Sequence, residues 1–381
     1  MRALHVVALA AGVATGCATH APPAATAPAA PRARNVILFL GDAGGLPTVH
    51  GASVYATGSP RGLFLHTLPH VALSETSSAS EWVTDSAAGM TAIVTGRKTH
   101  DGVLSQSDAA VRGQKDGEPL KTILEYAEER GLSTGVVSNS SVLSATPAAC
   151  YAHVNDRRQE AEIFAQLLKP RFGDGVDVVI GDGLTDVNEA AAASGRTARD
   201  ALRGAGLQVY DTLDAIPAAA RRAVVLFDDA FDLDQATQRA IDVLSRNPNG
   251  FFLMVEGNVH VEELLRGLDR TVELDRAMKR AAERLGPDTL ILYTADHSYD
   301  FRIHGGRKGE PLLPGVTDRE FGDDQESLRL DHVRRDDDHT GEDVLVAAGG
   351  PGAERVRGFL SNTDLFHVML VALGWETASA R

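Results

Sequence analysis

Three stretches of this chain share one plan, and that plan restricts the fold more than any other feature. Asn35-Val36-Ile37-Leu38-Phe39-Leu40 runs into Gly41-Asp42. Phe251-Phe252-Leu253-Met254-Val255 runs into Glu256-Gly257, and Thr289-Leu290-Ile291-Leu292-Tyr293-Thr294-Ala295 into Asp296-His297. A short, continuous apolar run without alternation suits a strand buried on both faces, the condition of a parallel sheet covered by helices. Further apolar runs at Gly135-Val136-Val137, Val176 to Ile180, Ala223 to Phe227 and Val344 to Ala348 alternate with helical stretches. The expected fold is therefore α/β, a mostly parallel central sheet with helices on both faces.

The patterning predicts a helix within 117–132, closed by Gly131, and another opening at Ser144-Ala145-Thr146-Pro147 and carrying His153 to Arg158. Val187 to Ala193 and Thr197 to Arg203 are expected as helices broken at Gly195. A long amphipathic helix is expected to end near Leu285, and a last one to span Asn362 to Leu373. The polar stretch 302–338 is expected as a surface excursion.

In open α/β sheets, ligands bind outside the carboxyl ends of the strands. Asp42, Glu256 and Asp296-His297 would gather there, with His339, just ahead of the Val344 strand, as a further candidate. Crowded carboxylates repel unless they are protonated or neutralised by a cation. Oxygen donors suit Mg²⁺, and the addition of imidazole suits Zn²⁺. Taken alone, Asp42 in a glycine turn serves equally as a turn former. A second feature is Thr84-Asp85-Ser86-Ala87-Ala88-Gly89, an aspartate and a serine ahead of a small-residue run that starts a helix. Free N–H groups and the helix dipole favour an anion there. A serine hydroxyl is a weak nucleophile until something such as a metal ion lowers its pKa. The plainer reading is that Asp85-Ser86 only caps a helix.

With 381 residues the chain is long enough for one large domain or two smaller ones. Its net charge of −15 argues against nucleic acid as a partner. Arg2 precedes an apolar run from Ala3 to Val13, too short to span a bilayer, which ends Ala14-Thr15-Gly16-Cys17. Residues 1–17 are thus expected as a signal peptide and the protein as exported. The small residues before Cys17 resemble a bacterial lipoprotein cleavage site, although Ala14 stands where leucine is usual. Lipidation of Cys17, anchoring a lipoprotein to the outer membrane, and plain release into the periplasm both stand. Residues 18–33, rich in Ala and Pro, are expected as a tether, and 34–381 as the folded domain. Two cysteines make no disulfide framework, and Cys150, among small apolar residues, is expected to be buried.

Six stretches, in order, resemble the alkaline phosphatase family. They are Asn35 to Asp42, Thr84-Asp85-Ser86-Ala87-Ala88, Ala145-Thr146-Pro147-Ala148-Ala149 with His153 and Arg157, Gly250 to Gly257, Thr294 to Ser298, and His339-Thr340-Gly341-Glu342-Asp343. The resemblance covers residues 34–373 and implies an alkaline-phosphatase-like fold and a metal-dependent phosphomonoester hydrolase acting through a phosphoserine intermediate. It implies Ser86 as the nucleophile, one zinc on Asp42, Asp296 and His297, and a Mg²⁺ on Asp42, Thr146 and Glu256. Ser86 would also bind that zinc, and Arg157 would clamp phosphate oxygens. Ser144 stands where some members have an outer-shell aspartate, which weakens the magnesium expectation. The family is commonly dimeric. Here no interface is legible and the surface insertions are short, so a homodimer and a monomer both stand.

The sequence departs from the family at its second zinc. The later histidine of that site matches His339, but the aspartate and histidine that follow the family glutamate fall on Val261 and Leu265. The loop is shortened as well as substituted. Valine and leucine cannot bind zinc, whereas His260, Glu262 and Glu263 are close in sequence. Either one of these rebuilds the site or the second zinc is weak or absent. A non-catalytic phosphate-ester-binding lipoprotein, or a phosphodiesterase or phosphotransferase of the same superfamily, is the alternative to a phosphomonoesterase.

Overall fold

The computed structural model describes residues 32–192, 195–316 and 327–375. The leader expected over 1–17, with Cys17, lies outside them, as does the tether expected over 18–33 up to its last two residues. Of these, Ala33 is buried and its N–H donates to the Ala372 carbonyl, so the folded body begins slightly before 34.

The chain opens with β1 (Asn35–Asp42), α1 (Leu46–Thr57), β2 (His70–Glu75) and α2 (Ser86–Thr95). There follow α3 (Ile123–Glu129), β3 (Ser133–Ser141), α4 (Ala145–Ala148) and α5 (Glu160–Leu168). Next come β4 (Val178–Asp182), α6 (Leu184–Ala192), α7 (Ala198–Gly204), β5 (Val209–Tyr210), β6 (Ala223–Phe227) and α8 (Leu233–Leu244). The last third holds β7 (Phe251–Asn258), α9 (Leu264–Arg284), β8 (Thr289–Ala295), β9 (Ser298–Ile303) and β10 (Ser327–Arg329). It closes with β11 (Val333–Thr340), β12 (Val344–Gly349), β13 (Gly358–Ser361) and α10 (Asp364–Ala372).

The central sheet has ten strands in the order β13-β2-β12-β8-β1-β7-β3-β4-β6-β5. The three carboxylate-tipped runs are neighbours at its middle, β1 lying parallel to both β7 and β8. Only β12 runs antiparallel to its neighbours. The unbroken apolar pattern of β1 has its cause in two cores. Val36, Leu38 and Leu40 enter one apolar layer with Met90, Ile93 and Leu365. Ile37 and Phe39 enter the opposite layer with Leu268, Leu274 and Met278. Each such side chain contributes about 1.5–3 kcal/mol on burial. Along α9 the buried residues Leu264, Leu268, Thr271, Leu274, Met278 and Ala281 recur three or four apart, the stripe that lays this helix on the sheet.

Some boundaries differ from expectation for local reasons. The helix expected within 117–132 is confined to α3, because Thr122 and Glu125 close a capping box. The helix opening at Ser144 stops at Ala148 and does not carry His153 to Arg158. Val154 instead exchanges backbone hydrogen bonds with Leu104. The excursion expected over 302–338 holds parts of a separate antiparallel sheet, β10-β11-β9, whose residues 317–326 lie outside the description. His339 therefore sits within β11, not merely before a strand.

Candidate active site

Parallel register carries the three strand ends to one edge. Leu40 pairs with Glu256 and Asp42 with Asn258 on one side of β1, and Gly41 with Ala295 on the other. Asp42, Glu256, Asp296 and His297 thereby meet, all buried. Ala43, directly after Asp42, has a φ of 63°, a left-handed conformation that costs a residue with a Cβ. The turn directs the Ala43 N–H at Asp296 Oδ1, 3.3 Å away.

Ser86 arrives from the other side, at the first turn of α2. Asp85 caps this helix, its Oδ1 accepting from the Ala88 N–H at 3.0 Å. Its Oδ2 accepts from Gly102 N–H at 3.0 Å and from Arg157 Nη1 at 3.1 Å. The cap therefore also tethers the arginine. Gly89 lets α2 come close, since a Cβ there would lie 3.0 Å from the Asp296 carbonyl oxygen. Ser86 Oγ ends 3.3 Å from His297 Nε2 and 3.5 Å from Asp42 Oδ1.

The carboxylates carry the marks of a cation site. Burial raises Asp42 well above the usual carboxylate range, with Glu256 adding to the effect. Burial does the same to Asp296, with Asp42 adding, and lifts Glu256 to about 7. Glu256 Oε1 and Asp296 Oδ2 are buried without a hydrogen-bond partner among the described residues. An ionised carboxylate left so is costly unless a cation meets it. Hydroxyls from Ser138 and Thr146 face the Glu256 carboxylate. Burial also pushes His297 well below the usual imidazole range, followed in effect by His339 and His260, and lowers His339. Neutral imidazoles are the form that binds metal.

Two groups of residues have donor atoms within 4.8 Å of one another: Asp42, Asp296 and His297, and His260, His297 and His339. The first is the set expected to hold one zinc. Of the set expected for Mg²⁺, Thr146 lies close enough to Glu256 to hold its pKa down, and Glu256 close enough to Asp42 to push its pKa up. His339 stacks on His297 with ring centroids 3.7 Å apart. Of the residues after Glu256, Val261 is fully buried in an apolar core layer and Leu265 packs on the same layer. His260 alone among the nearby candidates turns to the site, with Nε2 3.3 Å from His339 Nε2. Glu263 pairs with Arg266 at 2.6 Å, and Glu262 is exposed. Sequence reading missed Ser138 and Asn258, because their place follows from strand register. Ser138 lies opposite Glu256, and Asn258 opposite Asp42.

The sequence and the fold match known proteins. A family model described as Alkaline phosphatase matches residues 33–212 and 228–317. The chain belongs to the alkaline phosphatase family. It is 33% identical to streptomycin-6-phosphate phosphatase of Streptomyces griseus, over 90% of this chain and 91% of that protein. It is 31% identical to alkaline phosphatase of Escherichia coli K12, over 90% of this chain and 86% of that protein. The structure of alkaline phosphatase from the Antarctic bacterium TAB5 superposes with a TM-score of 0.74 at 25% identity, over 92% of this chain and all of that one. Alkaline phosphatases are generally metal-dependent, in keeping with the buried donor groups described above. The protein is thus a phosphatase-like hydrolase of this family. No helix among the described residues is long and apolar enough to cross a membrane.

Proposed function

We propose that this protein is an exported, metal-dependent phosphomonoesterase that works through a phosphoserine at Ser86. One observation carries the reading: the Ser86 hydroxyl stands at a helix N-terminus, 3.3 Å from His297 Nε2 and 3.5 Å from Asp42 Oδ1. The residues fit divalent cations. Asp42, Asp296 and His297 would hold a Zn²⁺, and Asp42, Glu256 and Thr146 a Mg²⁺. Such cations supply the positive charge that makes a serine alkoxide and a phosphoryl transition state accessible near neutral pH.

The chain's own residues do the rest. Asp85 fixes the start of α2 and so the position of Ser86. Through Oδ2 it also holds Arg157, a planar guanidinium suited to two phosphate oxygens. Ser86 Oγ, its proton lost to solvent, bonds to phosphorus as the ester P–O bond breaks, and the leaving oxygen takes a proton from water. Water then attacks phosphorus, the Oγ–P bond breaks, phosphate leaves, and Ser86 recovers its hydrogen.

Retention of Ser86 beside its donors favours this reading over a non-catalytic phosphate-ester binder. The test is hydrolysis of a panel that includes p-nitrophenyl phosphate and streptomycin 6-phosphate, with Zn²⁺ and Mg²⁺ supplied. The expected result is turnover that EDTA abolishes and added metal restores, falling by at least ~10³-fold in Ser86→Ala. Turnover unchanged in EDTA or in Ser86→Ala would contradict the proposal.

A further inference from the structure

Two of the three imidazoles at the site, His260 and His339, have their protons assigned by what surrounds them. His297 Nδ1 lies 3.2 Å from the Ser298 carbonyl oxygen, and His339 Nδ1 lies 3.4 Å from that of Thr84. His260 Nδ1 lies 2.9 Å from Asn258 Oδ1, with Asp42 Oδ1 at 3.7 Å behind it. That Asn258 atom also accepts the His260 backbone N–H at 3.4 Å, while Asn258 Nδ2 donates to Ser140 Oγ at 3.0 Å, so the amide orientation is fixed. In His260 and His339 Nδ1 meets an oxygen acceptor and carries the hydrogen, so that each of their Nε2 atoms is a lone pair, whereas His297 has oxygens at both nitrogens.

His297 Nε2 is committed to Ser86 and Asp42. His260 Nε2 and His339 Nε2 face each other at 3.3 Å. Two lone pairs at that distance repel unless a positive species meets both. The separation is also that of two nitrogens on one tetrahedral zinc, ~3.3 Å for Zn–N bonds of about 2.0–2.1 Å. A shared proton and a shared metal are the two ways to satisfy the pair.

We propose that His260 and His339 are the protein ligands of a second cation, held cooperatively with phosphate. His260 stands one residue ahead of Val261, which occupies the family aspartate's position in the core. The resulting donor set differs in kind from the one it replaces, because among the described residues the atoms that face each other are two imidazole nitrogens. Nitrogen donors select Zn²⁺ or Co²⁺ over Mg²⁺. Two neutral imidazoles leave the ion its full charge, so on their own they hold it weakly. Its other positions fall to oxygens of water or of a bound phosphate. Phosphate therefore strengthens metal binding, and by reciprocity the metal strengthens phosphate binding. The coupling to phosphate rests on the reading that this cleft takes phosphate esters.

The test is titration of metal-stripped full-length protein with Co²⁺ in excess Mg²⁺, followed by visible absorption and by metal content, with and without inorganic phosphate. The expected result is two Co²⁺ per chain, the second at least tenfold weaker than the first and tightened at least tenfold by phosphate. His260→Ala should bind one Co²⁺ with the first site unchanged. His260→Gln, which keeps the side-chain length, should do the same if His260→Ala folds poorly. One Co²⁺ in the unaltered protein, or two in both His260 variants, would overturn the site. Two Co²⁺ with no phosphate effect would overturn the coupling. Metal content does not depend on turnover, so a protein that loads two Co²⁺ yet never phosphorylates Ser86 would contradict the phosphatase reading while leaving the imidazole site standing.

Discussion

Asp85 does two jobs with two oxygens, and they can be separated. Oδ1 caps α2 and Oδ2 holds Arg157. Asp85→Ala should cost about 1 kcal/mol of stability through the lost cap. It should also lower kcat/KM by roughly 10–100-fold through a loosened Arg157. Asp85→Asn keeps a capping oxygen and should restore most of the stability without restoring activity. In the Arg157→Ala background, Asp85→Asn should add little further loss of activity, because the two residues act as a unit. Additive losses in steady-state kinetics of the double variant would contradict the tether. The residues that meet at this site were legible in the sequence where they end an apolar run or sit at a cap, as Asp42, Glu256, Asp296 and Ser86 do. The role of Asn258 was not. It acts by orienting His260, a contact that depends on how the chain leaves β7 and not on residue type.

At the scale of elements, the approach of α2 to β8 is the feature most open to test. A glycine in mid-helix ordinarily costs up to about 1 kcal/mol relative to alanine. Gly89→Ala would place its Cβ 3.0 Å from the Asp296 carbonyl oxygen and 3.2 Å from Asp296 Cβ. Backbone gives way poorly, so the usual gain in stability should vanish and activity should fall by about tenfold as Ser86 moves off its donors. Melting curves and kcat of this variant check both parts. A more stable, fully active protein would show that the contact does not set the site. Strands were readable because burial on both faces leaves an unbroken apolar run, as in β1. Helix ends were less so. Thr122 and Glu125 form their capping box only once the backbone around Thr122 is extended, and nothing in Glu118 to Lys121 announces that. The sheet β10-β11-β9 was missed because its strands carry charged residues, Arg334 and Arg335 among them, and lack an apolar run.

For the whole molecule, the buried carboxylates make metal and pH interchangeable influences on stability. Burial holds the folded-state pKa of Asp42 and Asp296 well above their ordinary values and that of Glu256 at about 7. A raised carboxylate means that the folded state keeps a proton which the unfolded state has released. Stability then falls as pH rises between the two pKa values. His297 and His339 act in the opposite sense, but only below the ordinary imidazole value of 6.5, since both are lowered. Between about pH 6.5 and 8 these carboxylates act together with Glu128, which burial raises to about 8. The metal-free protein should therefore melt at progressively lower temperature across that range, and saturating Zn²⁺ and Mg²⁺ should remove the part that belongs to the site and leave that of Glu128. A melting temperature of the stripped protein that rises over the same interval would contradict this electrostatic account. The same coupling predicts that chelation lowers the melting temperature more at pH 8 than at pH 6.5.

The measurement that most directly tests the central claim is the mass of the protein quenched in acid while turning over a phosphate ester, followed by peptide mapping. With Zn²⁺ and Mg²⁺ present, the account predicts one added phosphoryl group per chain, located on Ser86 and absent from both Ser86→Ala and the EDTA-treated protein. Ester hydrolysis with no such adduct, or an adduct on any other residue, would contradict it.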